Sequence, residues 1–307
     1  MTLPAVGVIG LGAMGASFAQ SLVTAGYPVH GYDIAPAAVE AARRIGVTNQ
    51  PSPAAVGDRS ELIITIVWDD AALRQVLFGA DGIARASRPP QCVVDLGTTS
   101  VDIAVEAGTE LAGRAVAFLD GAVIGGGVAA ARAGRSPIVI AGNLDAFEHW
   151  RTVLAILGSC EYVGRQGYAK AVKLMNNLIV GIVTASNAEA LSLGASMGLD
   201  AHEMVAAFTR GPAASHVLES YMGRYVESGR YGEGLIGHRL MAKDLRLAAE
   251  LAESIACDAA FARVGEQQYL EFAREIGEDR PFPSCFEIYR ARAASARSTR
   301  QSFESTP

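Results

Sequence analysis

Cysteine is scarce in this chain of 307 residues, and its spacing argues against several classes of protein. The four cysteines are far apart and form no CxxC pair; they are Cys92, Cys160, Cys257 and Cys285. A disulfide framework is therefore not indicated, and the reduced thiols of a cytoplasmic protein are expected. The five histidines are scattered without metal-ligand spacing, so no metal site is predicted.

Charged residues are also few, and the longest hydrophobic stretches are interrupted by glycine or asparagine. Only 19% of the residues are charged and the net charge is −6, with no basic patch, so nucleic acid is not an expected partner. Glycines interrupt the N-terminal segment from Val6 onward, and two asparagines and a glycine interrupt the apolar stretch after Lys173. Neither a signal peptide nor a membrane span is predicted. The length favours two domains.

A glycine motif near the N-terminus is the first feature that indicates a function. A short apolar run ends at Ile9, the sequence GLGAMG follows, and a helix-like segment then ends at Gly26. In such a unit the first glycine permits a tight turn, the second lets a pyrophosphate approach, and the third allows close helix packing. The free N–H groups of the helix would bind the phosphates. The candidate dinucleotide contacts are Gly10, Leu11, Gly12, Ala13, Met14 and Gly15.

Asp33 follows the second predicted strand, 18 residues after Gly15. An acidic residue at this position accepts hydrogen bonds from the adenosine ribose and repels a 2′-phosphate. No arginine occurs in the IAPAA segment that comes next. The sequence therefore favours NAD over NADP.

Further strands alternate with helices. Apolar runs typical of buried parallel strands occur at 62–67, 91–96, 115–119 and 138–141. Because parallel sheets bind ligands at the carboxyl ends of their strands, Trp68 and Thr98 are candidate cofactor contacts. Trp68 could equally be a surface aromatic residue, and Thr98 could only cap the helix that follows.

A glycine-rich segment, DGAVIGGG, begins at Asp120. Its three consecutive glycines predict a loop whose backbone N–H groups approach a ligand closely. A hinge or a simple turn is the alternative.

A long helix is predicted from about Tyr168 to Leu193, and its residues are apolar nearly all round, which is typical of a helix buried on every side. Lys173, Asn177 and Thr184 share one face of it. Either these polar groups are satisfied internally, or Lys173 and Asn177 point into a cleft between two domains and bind a substrate.

Only helices are predicted after this segment. The expected fold is α/β: an N-terminal Rossmann-type doubly wound sheet over 1–164, a long interdomain helix, and an all-helical domain over 165–290. The Ser/Arg/Thr-rich segment 291–307 is predicted to be a flexible tail.

Four motifs together resemble the β-hydroxyacid dehydrogenase superfamily, which includes 3-hydroxyisobutyrate dehydrogenase, tartronate semialdehyde reductase and 6-phosphogluconate dehydrogenase. The resemblance covers roughly residues 5 to 290. The motifs are GLGAMG, DGAVIGGG, the GxxGxxxxxKxxxN spacing of Gly164, Gly167, Lys173 and Asn177, and the KDL segment from Lys243 to Leu245.

The resemblance implies NAD-dependent hydride transfer between nicotinamide and a 3-hydroxyacid-like substrate. Lys173 would be the general acid/base, since partial burial disfavours its charged form, and Asn177 would hold the substrate in register. The implied cofactor contacts are Val67, Trp68, Thr98 and Lys243, and the implied substrate contacts are Ile124, Gly125 and Gly126 together with Lys173 and Asn177. A homo-oligomer, dimer or tetramer, formed through the helical domain is also implied by the resemblance.

This sequence departs from the family pattern in the substrate segment. Ile124 stands where the family has a serine and Ala122 where it has a proline, so the substrate is expected to be bulkier or less polar than a small hydroxyacid. Arg210 and His238 are candidate replacement contacts, or else a surface charge and a core histidine. Imine reductases share the scaffold and carry a similar DGAxx segment, but usually lack the lysine that Lys173 supplies. An imine or other carbonyl reductase and a non-catalytic NAD(H) sensor remain the alternatives.

Overall fold

The computed structural model describes residues 3–231 and 235–293. They form two compact units that divide between Leu174 and Met175. The division between the two units lies inside the long helix, ten residues after the domain boundary at 164/165 that the sequence predicts. The domain boundary at 164/165 stays a prediction. Residues 294–307 of the expected tail lie outside the described residues, whereas 291–293 belong to a helix.

The first unit contains one eight-stranded sheet with the strand order β3-β2-β1-β4-β5-β6-β7-β8. Neighbouring strands are parallel except β6 and β7, which are antiparallel. The strands are β1 (Val6–Ile9), β2 (Val29–Tyr32), β3 (Thr48–Asn49), β4 (Leu62–Thr65), β5 (Cys92–Asp95), β6 (Ala117–Val123), β7 (Ser136–Gly142) and β8 (Gly158–Tyr162).

Helices cover both faces of this sheet, which explains why the strands β1, β4 and β5 at its centre are buried at every position and mostly apolar. Ile64 and Val94 pack into one core with Phe18, whereas their neighbours Ile63 and Val93 pack into a second core on the other face. The helices are α1 (Ala13–Thr24), α2 (Pro36–Arg44), α3 (Pro53–Gly57), α4 (Asp70–Phe78), α5 (Val101–Ala112), α6 (Gly127–Arg132) and α7 (Leu144–Leu154), with a 3-10 turn at Ile83–Arg85. The predicted doubly wound sheet is confirmed.

The largest difference from the sequence-based expectation lies in the DGAVIGGG segment. The strand predicted over 115–119 is shifted: β6 runs over Ala117–Val123 and includes the first four residues of this segment. Only 124–126 form a loop, because the short helix α6 begins at Gly127. Helix α2 was also not predicted, since Val39 is the single large apolar residue in its short sequence.

Helix α8 (Tyr168–Ser196) begins in the first unit and continues into the second. The expectation that it is buried on every side is wrong: Met175 is 53% exposed and Ile179 is 62% exposed. Its length and a mean hydropathy of 1.4 over its most apolar window would also suit a membrane span. Core helices of soluble proteins share these properties, and on α8 Lys173 and Asn177 both bind other segments of the chain.

The described part of the second unit is helical, as predicted, with only an isolated bridge between Gly237 and Pro281. Its core joins α8 to the later helices through residues such as Leu191, Leu245, Tyr269 and Phe272. The further helices are α9 (Ala201–Phe208), a π-helix (Leu218–Gly223), α10 (Arg224–Ser228), α11 (His238–Ser254), α12 (Ala260–Ile276), a 3-10 turn (Phe282–Ser284) and α13 (285–293).

Candidate active site

The turn between β1 and α1 has the geometry of a dinucleotide cradle. Gly10 has a φ of +92°, a left-handed conformation that glycine adopts without strain. A Cβ atom at Gly15 would lie 1.8 Å from the Gly10 carbonyl oxygen, so only glycine allows this approach of α1 to β1. No atom lies within 4 Å of the Cβ position of Gly12, which leaves space in front of the helix N-terminus. The turn therefore fits a pyrophosphate.

Asp33 lies at the end of β2, beside this turn. Its Oδ2 accepts a hydrogen bond from the Leu11 N–H at 2.6 Å, and its Oδ1 accepts one from the Ala35 N–H at 2.7 Å. The carboxylate is only partly buried, and its oxygens have further lone pairs. It can therefore bind ribose hydroxyls while it holds the glycine turn against β2.

An open groove of about 650 Å³ adjoins Asp33. Its wall includes Arg43 of α2, an arginine that lies beyond the IAPAA segment. The Arg43 guanidinium lies 3.6 Å from Glu40, and both side chains are more than half exposed. The groove has the position expected for the adenosine half of a dinucleotide.

The other predicted cofactor contacts follow the ends of β4 and β5. Val67 is partly buried, Trp68 is 70% exposed and Thr98 is partly buried. Helix α5 is capped by Ser100, whose Oγ accepts from the Ile103 N–H, so the alternative that Thr98 caps this helix is wrong. All three residues stand at the carboxyl edge of the sheet, where ligands bind in this class of fold.

The predicted substrate loop connects β6 to α6. Ile124 donates its N–H to the Pro137 carbonyl, and its side chain packs against a buried cluster that includes Ala122 of β6 and Ala169 of α8. Gly126 has a φ of +79°, which allows the chain to turn into α6. The position at which the family has a serine is thus apolar and packed against the start of α8.

Lys173 points to the same strand end. Its Nζ donates a hydrogen bond to the Val123 carbonyl oxygen at 2.7 Å, and the side chain is partly buried. Since Val123 directly precedes the loop, the Lys173 amine lies beside the predicted substrate loop. An acid or base that acts on a substrate bound at this loop would need to lie here.

Two buried groups near Lys173 were missed by sequence reasoning. Asp120 accepts hydrogen bonds from the N–H groups of Gly167, Ala169 and Lys170, so β6 caps the start of α8 with a carboxylate. The Lys170 Nζ lies 2.7 Å from Asp95 Oδ2, and both side chains are completely buried. A charged residue in an otherwise apolar helical turn was the only available signal for Lys170.

In the second unit, Asn177 is bound to a residue of the KDL segment. Its Nδ2 donates to Asp244 Oδ2 at 2.6 Å, and Asp244 is 3% exposed. Lys243 Nζ forms an ion pair with Asp244 Oδ1 at 3.1 Å. Among the described residues this buried oxygen has no hydrogen-bond donor of suitable geometry. Asp244 therefore orients Asn177. Thr184, by contrast, donates to the Val180 carbonyl and is satisfied within its own helix.

The two suggested replacement contacts differ in burial. Arg210 is exposed, and His238 is completely buried with its Nε2 2.9 Å from Ser284 Oγ. Burial lowers the pKa of His238 to about 4, with a smaller contribution from the charge of Arg280. His238 is thus a neutral histidine of the helical core.

This burial predicts a pH dependence of stability. Below about pH 6.5 the unfolded chain takes up a proton at His238, whereas the folded chain does so only near pH 4. The free energy of unfolding should therefore fall as the pH drops through this window. We expect His238→Gln to remove roughly 1–2 kcal/mol of that decline in urea titrations between pH 7 and pH 4. The matched variant of the exposed His202, His202→Gln, should leave the decline unchanged; an equal effect of both would contradict the prediction.

Comparison with known proteins places these features in one family. Residues 5–164 match the family model described as the NAD binding domain of 6-phosphogluconate dehydrogenase. Residues 167–289 match a second family model, described as "NAD-binding of NADP-dependent 3-hydroxyisobutyrate dehydrogenase". Human mitochondrial 3-hydroxyisobutyrate dehydrogenase is 30% identical over 93% of this chain and 86% of its own. The L-threonate dehydrogenase of Cupriavidus necator is 35% identical over 70% of this chain and 73% of its own.

Solved structures agree with this assignment. The 3-hydroxyisobutyrate dehydrogenase of Mycobacterium tuberculosis, solved with L-serine, superposes with a TM-score of 0.85 at 25% identity, covering 94% of this chain and 100% of its own. The imine reductase of Streptomyces aurantiacus, at 20% identity and a TM-score of 0.62, covers 92% of this chain and 99% of its own, and shares the fold.

A dinucleotide cradle, a helical second unit and these matches define the class as NAD(P)-dependent dehydrogenases of hydroxyacids. The resemblance found in the sequence motifs is confirmed. The chain belongs to the β-hydroxyacid dehydrogenase superfamily, among its members similar to 3-hydroxyisobutyrate dehydrogenase.

Proposed function

We propose that this protein is an NAD-dependent dehydrogenase that transfers a hydride between nicotinamide and a 3-hydroxyacid-like substrate, with Lys173 as the general acid/base. The observation that carries the proposal is the position of the Lys173 amine, which is fixed by the Val123 carbonyl directly before the substrate loop. A carbonyl oxygen accepts from a neutral amine and from an ammonium group alike, so this contact holds Nζ in place through both protonation states.

The roles of the protein groups follow from this contact. The nicotinamide ring supplies the hydride acceptor, or the donor in reverse, and the protein supplies position and proton transfer. As the substrate hydroxyl becomes a carbonyl it must lose a proton, which the Lys173 amine takes. Asn177 lies one turn further along the same helix; Asp244 binds one of its two amide N–H bonds, and the second would donate to the substrate oxygen.

The substrate loop supports a substrate with an apolar substituent. Ile124 supplies no hydroxyl to bind a carboxylate, and its side chain adjoins the apolar start of α8. The backbone N–H groups of Gly125 and Gly126 are the proposed donors to the acid group. We therefore propose a 3-hydroxyacid that is larger or less polar than 3-hydroxyisobutyrate.

The preference for NAD rests on Asp33, because its carboxylate would repel a 2′-phosphate. We expect Asp33→Asn, which keeps an acceptor oxygen but removes the charge, to raise the NADP/NAD ratio of kcat/KM about tenfold. Asp58→Asn is the matched control, since the Asp58 carboxylate also accepts a backbone N–H at a helix end, from Arg88. An unchanged ratio in Asp33→Asn would argue against the proposed preference.

The decisive experiment is a screen for cofactor reduction with a panel of 3-hydroxyacids that differ in the size and polarity of their substituent. NAD and NADP are tested in parallel, and cyclic imines are tested in the reductive direction. Turnover of hydroxyacids supports the proposal. Turnover of imines alone would indicate an imine reductase, and NADH binding without any turnover would indicate a sensor.

Two further expectations remain proposals. The exposed apolar side chains Met175, Ile179 and Leu193 of α8 support a homo-oligomer formed through the helical domain. The four free cysteines support a cytoplasmic location.

A further inference from the structure

Strand β6 is longer than its neighbour β5. The last β5–β6 pair joins Asp95 to Asp120, whereas β6 continues to Val123 in register with β7. The Ile124 N–H bonds to Pro137 of β7, so by alternation the carbonyl groups of Gly121 and Val123 point to the other side, where β5 has already ended. This part of β6 therefore has no strand beside it to bind these carbonyl groups.

Two lysines of α8 bind these carbonyls. Lys170 Nζ donates to the Gly121 oxygen at 2.8 Å, and Lys173 Nζ donates to the Val123 oxygen at 2.7 Å. Residues three apart on a helix are separated by about 4.5 Å along its axis, and alternate residues of a strand by about 6.6 Å, a difference that flexible lysine side chains can span. The first turns of α8 are thus held in register with the end of β6.

The two lysines differ in their surroundings. Besides Gly121, Lys170 Nζ donates to the carbonyl oxygens of Asp95 at 3.0 Å and Gly97 at 2.7 Å, and pairs with the Asp95 carboxylate. Asp95 in turn accepts from the hydroxyl groups of Thr65 and Thr99. Lys170 therefore joins three segments: the end of β5, the start of the loop that carries Thr98, and β6.

A buried ion pair is weak evidence of a stabilising role, because burying it costs desolvation energy that its attraction offsets only partly, and an apolar pair of similar volume is often as stable. Three of the 26 Lys and Arg residues of the chain are lysine: Lys170, Lys173 and Lys243. A compact ammonium group fits a ring of carbonyl oxygens, whereas the planar guanidinium group of arginine does not.

We propose that Lys170 is a positioning residue, whose ammonium group fixes α8 on the end of β6 and so places the Lys173 amine for proton transfer. The proposal rests on the proposed function for the role of Lys173. Because Lys170 is completely buried, we do not expect it to touch substrate or cofactor.

The first test is Lys170→Met, which keeps the length of the side chain and removes the charge. We expect kcat to fall about 10- to 100-fold, since a displacement of about 1 Å at the reacting group has this effect. The KM for NAD should change by less than about threefold, because the glycine turn is untouched. A purely structural role would lower the melting temperature and leave the kcat of the folded protein unchanged.

The double variant Lys170→Met/Asp95→Asn separates charge from position. It leaves no buried ion unpaired and is therefore expected to fold even if the single variant does not. Its kcat should stay low, because the three carbonyl groups still lack their donor. Wild-type kcat in either folded variant would overturn the proposal.

A second readout does not depend on a known substrate. Reductive methylation with a 13C label marks lysines and the amino terminus, so this chain with three lysines gives a simple NMR spectrum in which Lys173 can be assigned by its loss in Lys173→Ala. In Lys170→Met the labelled resonance of Lys173 should shift, because its amine is no longer held beside the Val123 carbonyl. In the double variant it should stay shifted, because the position of α8 rather than a charge has changed. A wild-type resonance of Lys173 in both variants would count against Lys170 even if no hydroxyacid were turned over.

Discussion

Replacing Lys173 by alanine is expected to lower kcat by roughly two to four orders of magnitude, the contribution of a positioned general acid or base. Alanine removes the amine that binds the Val123 carbonyl beside the substrate loop. The affinity for NADH should stay within about threefold of wild type, because the glycine turn and Asp33 are unchanged. Steady-state kinetics and a fluorescence titration with NADH measure the two quantities.

Arg165→Ala is the control for this variant. Arg165 is exposed and stacks over the ring of Tyr168 at the start of the same helix, so its loss removes a nearby positive charge without touching the site. Its kcat should be close to that of wild type. If Lys173→Ala retained wild-type turnover, Lys173 would not be the acid/base.

The second large effect is expected at Gly12. Gly12→Val should fold like wild type, because no atom lies within 4 Å of its Cβ position and its φ of −63° suits any residue. The valine side chain would occupy the space that a pyrophosphate needs in front of α1, so NADH affinity should fall by at least about 100-fold. Titration of NADH fluorescence and thermal melting measure affinity and stability separately.

Gly15→Ala is the matched opposite. The added methyl group would lie 1.8 Å from the Gly10 carbonyl oxygen, so α1 must move away from β1 and the free energy of unfolding should fall by roughly 2–4 kcal/mol. A loss of stability in Gly12→Val as large as in Gly15→Ala would show that the space in front of Gly12 is needed by the fold rather than by the ligand.

The dinucleotide half of the molecule could be predicted because its requirements are local. The turn conformation of Gly10 and the close packing at Gly15 are properties of adjacent residues, and both are confirmed. The sheet was recognisable for a similar reason, since strands buried on both faces are continuous apolar runs. The position of Arg43 near Asp33 was missed because it depends on α2, a short helix whose single large apolar residue is Val39.

The surroundings of Lys173 could not be predicted because they depend on the relative lengths of two strands. The end of β5 was predicted to within one residue, but β6 was expected to end at Leu119, and its continuation to Val123 is what leaves the Gly121 and Val123 carbonyl groups for Lys170 and Lys173. Asp244 was not predicted either. The KDL segment predicted Lys243 as a functional residue, whereas the residue that binds Asn177 is the neighbouring Asp244. The expected burial of α8 failed at Met175 and Ile179, since composition does not show which face is covered.

An unprotected strand edge is a template for pairing with other chains, and proteins commonly protect such edges with lysine. In this protein, Lys170 and Lys173 of α8 cover the end of β6 that extends beyond β5. Both lysines lie after residue 164, where the match to the dinucleotide-binding family model ends. A fragment cut at that residue would contain every strand of the sheet and still expose these carbonyl groups. Such a fragment is therefore expected to pair with other chains more readily than the complete protein does.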